Sequence, residues 1–214
     1  KMLYPKIKVI GVEPAAAASM TAAFEKGEPV TLPSANTIAD GTAVKRVGET
    51  IFPYCKENIH KIITVDDNEL IGAFLDMVEN HKMIVENSGL LPVAALSHLD
   101  LKDKKAVVVL SGGNMDIITM SSMLQHGLIQ RGRIFTVSVL LPDKPGELAR
   151  VASIISEEQG NVVKLEHNQF VSINRSAAVE LRITLESFGK AHRDQIFARL
   201  EREKYRPRMV RTNL

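Results

Sequence analysis

The stretch that decides the fold is residues 106–116, which read AVVVLSGGNMD. Five consecutive apolar residues lead directly into Ser-Gly-Gly-Asn. A short, largely β-branched run without polar alternation predicts a strand that is buried on both faces, as in a parallel sheet. Because the two glycines permit a tight turn or close approach of backbone to a ligand, Ser111 is expected just beyond the carboxyl end of a central strand. Open α/β sheets bind their ligands there.

A helix is expected behind this turn, over residues 115–124, with Asn114 as its N-cap. The spacing leaves two interpretations open. One is a ligand site, and the other is an ordinary strand–turn–helix joint, since short glycine-rich turns are weak motifs.

The first 130 residues alternate between strand and helix patterns, which predicts a parallel sheet with helices on both faces. Between the first helix and the second strand of this part, the polar stretch 33–49 has little hydrophobic periodicity and contains the turn signal Asp40-Gly41. This stretch is therefore expected to be a functional loop. Pro92 is expected in the first turn of its helix. The expected strands are residues 9–14, 61–65, 83–85 and 106–110, and the expected helices are residues 15–26, 66–80, 90–99 and 115–124.

A second pattern follows the polar, glycine-bearing stretch 125–133, which is the expected domain boundary. It divides the chain into residues 1–130 and 131–214. The order of the second part is βαββαβ, which is the ferredoxin-like arrangement. Its expected strands are residues 134–141, 162–170, 177–185 and 205–211, and its expected helices are residues 147–159 and 190–203. Leu148, Val151, Ile154 and Ile155 are expected to share the apolar face of the first of these helices.

Composition excludes several classes of protein. Apolar content of 45% and charged content of 24% are typical of a globular chain. The sequence contains no apolar run of 18 residues, so no membrane span is predicted. Residues 1–10 do not have the pattern of a secretory signal. The single cysteine, Cys55, rules out an internal disulfide and fits a reducing cytoplasm. The abrupt start on a strand-like segment predicts that the sequence is a fragment.

The charges are unevenly distributed, since residues 131–214 carry 15 Lys and Arg against 10 Asp and Glu. A nucleic-acid surface is one explanation. Interleaved glutamates and few aromatic side chains favour the other, a solvated helix and edge strand, and no nucleic acid is expected as a partner. The C-terminal cations are Arg199, Arg202, Lys204, Arg206, Arg208 and Arg211.

Four motifs in order resemble a signature of the threonine dehydratase and serine racemase group of pyridoxal-phosphate (PLP) enzymes. They are VIGVEP (9–14), TIADGTAVKRVGE (37–49), ENSGLLPVAAL (86–96) and VVVLSGGNMD (107–116). The last 80 or so residues resemble an ACT regulatory domain, in which LPDKPGEL and GNV are typical wording. The resemblance implies part of a tryptophan synthase β-like large domain followed by an ACT domain.

This resemblance implies a PLP-dependent threonine or serine ammonia-lyase of isoleucine biosynthesis. Ser111 would donate a hydrogen bond to the pyridine nitrogen, Glu86 would lie beside the ring, and Gly41 and Gly112 would permit its close approach. The Schiff-base lysine and the glycine-rich phosphate loop match no residue here, so the chain alone is expected to be inactive. The alternative is a non-catalytic, amino-acid-binding regulatory fragment.

The resemblance also implies a cation site at Glu13, the Ala17 carbonyl and Ser19. Relatives have an acidic residue where Ser19 stands, so a monovalent ion is expected rather than a divalent one. The alternative is that Glu13 is a carboxylate at a helix start, favoured there by the helix dipole.

An effector site is expected at the turn after the first strand of the second part. Backbone N–H groups at a helix N-terminus bind a carboxylate, and Asn161 can bind an amino group. The resemblance suggests isoleucine or valine at an interface between two copies, and hence a homo-oligomer. Plain turn chemistry is the alternative. The residues expected at this site are Lys144, Pro145, Gly146, Glu147, Leu148 and Asn161.

Overall fold

The computed structural model describes residues 3–168 and 179–213. Their contacts form two compact units, and the division along the chain falls between Leu124 and Gln125. Each unit is described separately.

Among its described residues, the first unit contains two strands, four helices and the first part of a fifth helix, which continues past Leu124. The strands are β1 (Val9–Pro14) and β2 (Ile59–Val65), and the helices are α1 (Ser19–Lys26), α2 (Ile51–Asn58), α3 (Asp67–Asp76), α4 (Asn87–Ala94) and α5 (Ile117–Gln130). Short 3-10 turns lie at Ala15–Ala17, Asp40–Thr42 and Ala95–His98, and a π-helical turn follows α3 at Met77–His81.

Strands β1 and β2 pair in parallel, with Gly11 opposite Ile62 and Glu13 opposite Thr64. Their carboxyl ends therefore lie at the same edge, which confirms the expected sense of pairing. Asp66 follows β2 directly and caps α3, because its carboxylate accepts from the Glu69 N–H at 2.9 Å while Glu69 accepts from the Asp66 N–H at 2.8 Å. This reciprocal capping box explains why α3 begins where it does.

The core of the first unit lies between α3 and α4. Leu70, Phe74 and Leu90 have no exposed surface, and Val65 at the end of β2 is 1% exposed. Burial of such large apolar side chains is the main favourable term for this packing.

Two of the expected strands are wrong. Residues 83–85 and 106–110 form no strand, and Val107 and Val109 are 91% and 70% exposed. The apolar pattern alone does not make a strand, since a strand also needs a neighbour that satisfies its N–H and C=O groups. Within the described residues, neither stretch pairs with β1 or β2.

The start of α5 also differs from expectation. Asp116, rather than Asn114, accepts from the first-turn amides of Ile118 and Thr119, at 2.9 and 3.0 Å. The main-chain N–H of Asn114 donates to Glu86 instead. The helix continues to Gln130, through much of the glycine-bearing stretch. Pro92 lies in the second turn of α4, not in the first, since that helix begins at Asn87.

The second unit is ferredoxin-like, as its βαββαβ pattern predicts. Its elements are β3 (Ile134–Leu141), α6 (Glu147–Glu157), β4 (Asn161–Asn168), β5 (Val179–Glu186), α7 (Lys190–Arg202) and β6 (Arg208–Val210). The sheet is antiparallel with the order β4-β5-β3-β6. The predicted strand 162–170 ends at Phe170 and the predicted strand 177–185 begins at Ala177. Both of these positions lie outside the described residues.

One face of β3 forms the floor of the second core. Val137 and Val139 are fully buried and Leu141 is 3% exposed, and they pack against Val151 and Ile155 of α6. Leu148 is 37% exposed, so it does not share this apolar face as expected, since it lies in the first turn of α6 outside the core. Among the described residues, no helix has the length and apolar character needed to cross a bilayer.

Candidate functional site

Three backbone segments meet around the start of α4, and glycines permit each approach. A Cβ on Gly112 would overlap the Glu86 carboxyl group, and one on Gly89 would overlap the carbonyl of Ser111. A Cβ on Gly41 would lie 2.8 Å from the hydroxyl oxygen of Ser88. The structure thus brings together the four residues that the resemblance assigns to the cofactor: Gly41, Glu86, Ser111 and Gly112.

Glu86 is held between α4 and the Ser-Gly-Gly turn. Its N–H donates to the Gly112 carbonyl at 3.3 Å, and its carboxylate accepts from the Asn114 N–H at 3.3 Å. Its own carbonyl accepts from the Gly89 N–H at 2.9 Å, so Glu86 marks the first turn of α4. The carboxylate therefore lies against the turn that carries Ser111, and the Ser111 residue itself is exposed.

Two side chains outside the predicted site hold the Gly41 loop in place. Asp67 accepts from the Thr37 hydroxyl at 2.6 Å and from the Ile38 N–H at 3.3 Å. Asn87 donates from Nδ2 to the Ile38 carbonyl at 2.8 Å. Sequence reasoning missed both residues, because the hydrogen bonds span 29, 30 and 49 positions; the acidic start of α3 was the only signal for Asp67.

Two polar atoms beside this loop have no hydrogen-bond partner among the described residues. They are Oδ1 of Asn87, a residue that is 7% exposed, and the Ser88 hydroxyl, which faces Gly41. Buried polar atoms of this kind are normally satisfied by a ligand or a water molecule. Ser88 thus joins the candidate site, although the sequence analysis did not single it out.

The Glu13 carboxylate lies at the start of α1. It accepts from the N–H groups of Met20 and Thr21 at 3.1 and 2.6 Å, which is the geometry of the helix-start alternative. Ala17 and Ser19 are 1% and 5% exposed. A cleft of about 410 Å³ reaches Glu13 and Ser19 on one side and Gly41 on the other.

Thr21, whose N–H donates to Glu13, also carries a hydroxyl. The Thr21 hydroxyl is buried and has no hydrogen-bond partner in the described part of the chain. Within that same part, no three His, Cys, Asp or Glu side chains cluster as metal ligands. Any cation here would therefore depend on carbonyl and hydroxyl oxygens beside one carboxylate.

The expected effector turn precedes α6. Gly146 adopts a left-handed φ of 92° just before the helix. No side chain among the described residues caps the start of α6. The N–H groups of Lys144 and Glu147 are used within the turn, at 2.8 and 3.4 Å. Leu148 and Ala149 follow in the first turn, where N–H groups have no acceptor inside the helix. This end of α6 can therefore accept an anion.

Asn161 does not lie near this turn within one chain. It is level with Glu186 and Ile134 across the sheet, whereas the turn follows Leu141 at the other end of β3. Seven residue steps along a strand correspond to about 20–25 Å. The Asn161 amide donates to Glu186 at 3.2 Å. An amino acid held by both groups would require a second copy of the chain.

Comparison with known proteins assigns the first unit to a family. Residues 1–112 match the family described as "Pyridoxal-phosphate dependent enzyme". The chain is 36% identical over 200 residues to an L-threonine ammonia-lyase of Geobacter sulfurreducens, covering 92% of this chain and 50% of that protein. It is 31% identical over 211 residues to an L-threonine ammonia-lyase of Thermotoga maritima, covering 98% and 53%.

A solved structure agrees with these sequence relatives. The processed form of threonine deaminase isoform 2 from Solanum lycopersicum superposes with a TM-score of 0.55 at 32% identity, over 60% of this chain and 37% of that one. The chain spans about half the length of the curated relatives that it matches.

Proposed function

Because the chain belongs to the family of pyridoxal-phosphate-dependent enzymes, we propose that it is part of a threonine (or serine) ammonia-lyase. Such an enzyme eliminates water and then ammonia from the amino acid, and threonine yields 2-oxobutyrate. The observation that carries the proposal is the meeting of Ser111 and Gly112 with Glu86 beside the Gly41 loop. The similarity to L-threonine ammonia-lyases supports the choice of substrate class.

The residues around Glu86 fit one side of a PLP ring. The turn that carries Ser111 lies against the Glu86 carboxylate, and the Ser88 hydroxyl, which faces Gly41, has no partner in the described chain. PLP supplies an electron sink when it is bound. Ser111 would donate a hydrogen bond to the pyridine nitrogen without protonating it, whereas an aspartate there would favour the protonated ring.

Glu86 and the Gly41 loop would orient the ring. The Glu86 carboxylate is fixed by the Asn114 N–H, and the loop is fixed by Asp67 and Asn87. Fixed partners of this kind lower the cost of binding a ligand, because they need not be ordered when it binds. No residue of this chain matches the lysine that holds the cofactor in this family, and no segment of it matches the loop that binds the cofactor phosphate.

A monovalent cation near Glu13 is part of the proposal. One carboxylate, the Ala17 carbonyl and the hydroxyls of Ser19 and Thr21 offer a weakly charged oxygen set, which suits a monovalent rather than a divalent ion. The hydrogen bonds from Met20 and Thr21 to Glu13 favour the purely structural alternative. A higher thermal midpoint in potassium than in an equal concentration of tetramethylammonium, lost in Glu13→Gln, would support the ion.

The second unit is proposed to regulate the enzyme by binding an amino acid. The uncapped start of α6 supports a carboxylate site at residues 144–148. Since Asn161 lies at the other end of the sheet, one ligand could be held by both groups only across two copies, so this form of the site requires the homo-oligomer that the resemblance implies. We place the protein in the cytoplasm, as the single cysteine suggests.

A purely regulatory, non-catalytic role is the second candidate. It is favoured by the uncapped start of α6. Calorimetric titration of the chain with isoleucine and valine tests the binding shared by both candidates. Assay of 2-oxobutyrate formation by a longer protein that carries this chain distinguishes them.

The Ser111→Ala variant of that longer protein provides the sharpest test of the catalytic role. It should still bind PLP but eliminate more slowly, because it lacks a hydrogen bond worth about 1–3 kcal/mol, or roughly tenfold to a hundredfold in rate. The cofactor absorbance spectrum checks binding separately from rate. Ser97→Ala is the matched control, since the Ser97 hydroxyl donates only to the Ala94 carbonyl within its own helical turn. An unchanged rate in Ser111→Ala would show that Ser111 only forms part of the turn and has no catalytic role.

A further inference from the structure

A buried tyrosine ties the end of α7 to the start of α6. Tyr205 is 8% exposed, and its hydroxyl donates to Oε2 of Glu147 at 3.0 Å, across 58 positions of sequence. Glu147 is the first residue of α6 and follows Gly146, which adopts the left-handed φ. The phenol therefore reaches the turn that leads into the proposed effector site.

The tyrosine ring is itself held firmly. Helix α7 ends where Lys204 adopts a left-handed φ of 67°, and the Tyr205 N–H donates back to the Leu200 carbonyl at 3.1 Å. The ring belongs to the same apolar core as Ile196 and Leu200, both fully buried. Tyr205 thus links the apolar core to the first turn of α6, which has no side-chain cap.

An ion pair joins the same two segments but is more exposed. Arg150 of α6 contacts Glu203 at 3.0 Å, with side chains that are 61% and 28% exposed. Such a pair contributes little, because water screens it and two long side chains must be ordered. The Tyr205–Glu147 hydrogen bond is better shielded. Burial, followed by the bond to Glu147, raises the pKa of Tyr205, so the phenol stays protonated and remains a donor.

We propose that Tyr205 is a positioning residue for the effector turn, residues 144–148. By holding the Glu147 carboxylate, it fixes the first turn of α6, where the N–H groups of Leu148 and Ala149 are available to a ligand carboxylate. Without the phenol oxygen the turn becomes more mobile, and a ligand must order it at the cost of affinity. This inference rests on the amino-acid site proposed above.

Tyr205→Phe tests the inference, because it removes the hydroxyl and keeps the ring in the core. In the 214-residue chain, amide hydrogen exchange at Arg150, whose N–H donates to the Gly146 carbonyl at 2.9 Å, and at the next amides of α6 should become about tenfold faster, as expected for the loss of a hydrogen bond to a charged acceptor. Exchange in the central strand β3 should not change. Tyr54→Phe is the matched control, since Tyr54 is 64% exposed and lies in the other unit. Glu147→Gln keeps an acceptor oxygen and should keep the slow exchange.

Calorimetry with isoleucine and valine provides the functional measurement. Tyr205→Phe should bind about tenfold more weakly than the unchanged chain, and Tyr54→Phe should bind equally well. Equal affinity in Tyr205→Phe, or unchanged exchange at Arg150 and the next amides of α6, would overturn the positioning role. A third outcome is that the unchanged chain binds neither amino acid while exchange is faster in Tyr205→Phe. That result would support the role of Tyr205 in ordering the first turn of α6 and would contradict the proposed amino-acid ligand.

Discussion

Adjacent glycines in the Ser-Gly-Gly turn have different structural roles. Gly112 has a φ of 76°, and an added Cβ would run into the Glu86 carboxyl group. Gly113 has an ordinary φ and open space where its Cβ would be. The sequence shows two equivalent residues, whereas the structure requires glycine at only one of them.

Gly112→Ala should therefore destabilise the chain by about 1–2 kcal/mol, from the left-handed backbone and the displaced Glu86. Gly113→Ala should be close to neutral, because its side chain meets nothing within 4 Å. Urea denaturation of the two variants beside the unchanged chain measures both free energies of unfolding. Equal costs for the two variants would contradict the close contact between Gly112 and Glu86.

At the scale of elements, the start of α5 depends on the charge of Asp116. Hydrogen bonds from Thr119, first from its side chain and then from its backbone, hold the pKa of Asp116 below its usual value of 3.8. Because the pKa is lower in the folded state, this carboxylate stabilises the fold above pH 3.8. The contribution is lost as the pH falls through the lowered value.

The Asp116→Asn variant isolates that charge, since asparagine is also a good N-cap but does not titrate. The thermal midpoint of the unchanged chain should exceed that of the variant at pH 7, and the gap should shrink as the pH falls below about 3.8. Glu28→Gln, at an exposed site outside any helix, is the control. A gap between the unchanged chain and Asp116→Asn that is independent of pH would show that the ionised carboxylate does not stabilise α5.

At the scale of the whole molecule, the apolar stretch 106–110 is the main departure from expectation. Its composition is that of a buried strand, yet Val109 is 70% exposed. Val65, a residue of the same type at the end of β2, is 1% exposed. Val65 lies in a paired strand and belongs to the first core, whereas Val109 lies in no strand.

Replacing each valine by lysine measures this difference. Val109→Lys should change the free energy of unfolding of the 214-residue chain by less than about 0.5 kcal/mol, as is usual at exposed positions. Val65→Lys should cost more than about 3 kcal/mol, because it buries an unpaired charge in the first core. Denaturant titration followed by circular dichroism provides both values. A large cost for Val109→Lys would show that residues 106–110 are buried in a sheet after all.

Much of the architecture follows from the sequence by short-range physics. The apolar runs of β1 and β2, the capping box of α3 and the βαββαβ order of the second unit depend on periodicity and on residues close along the chain. The resemblance carried by the four ordered motifs also pointed to the family and to four residues that the structure brings together, Gly41, Glu86, Ser111 and Gly112.

Only the tertiary structure decided which patterns find partners. Val107 and Val109 stay exposed without a neighbouring strand, although the stretch 106–110 has the apolar pattern of a buried one. Asn161 lies at the opposite end of the sheet from the effector turn, and Tyr205 reaches Glu147 across 58 positions. Register and long-range hydrogen bonds depend on how separate elements pack, and this information is absent from the spacing of residues along the chain.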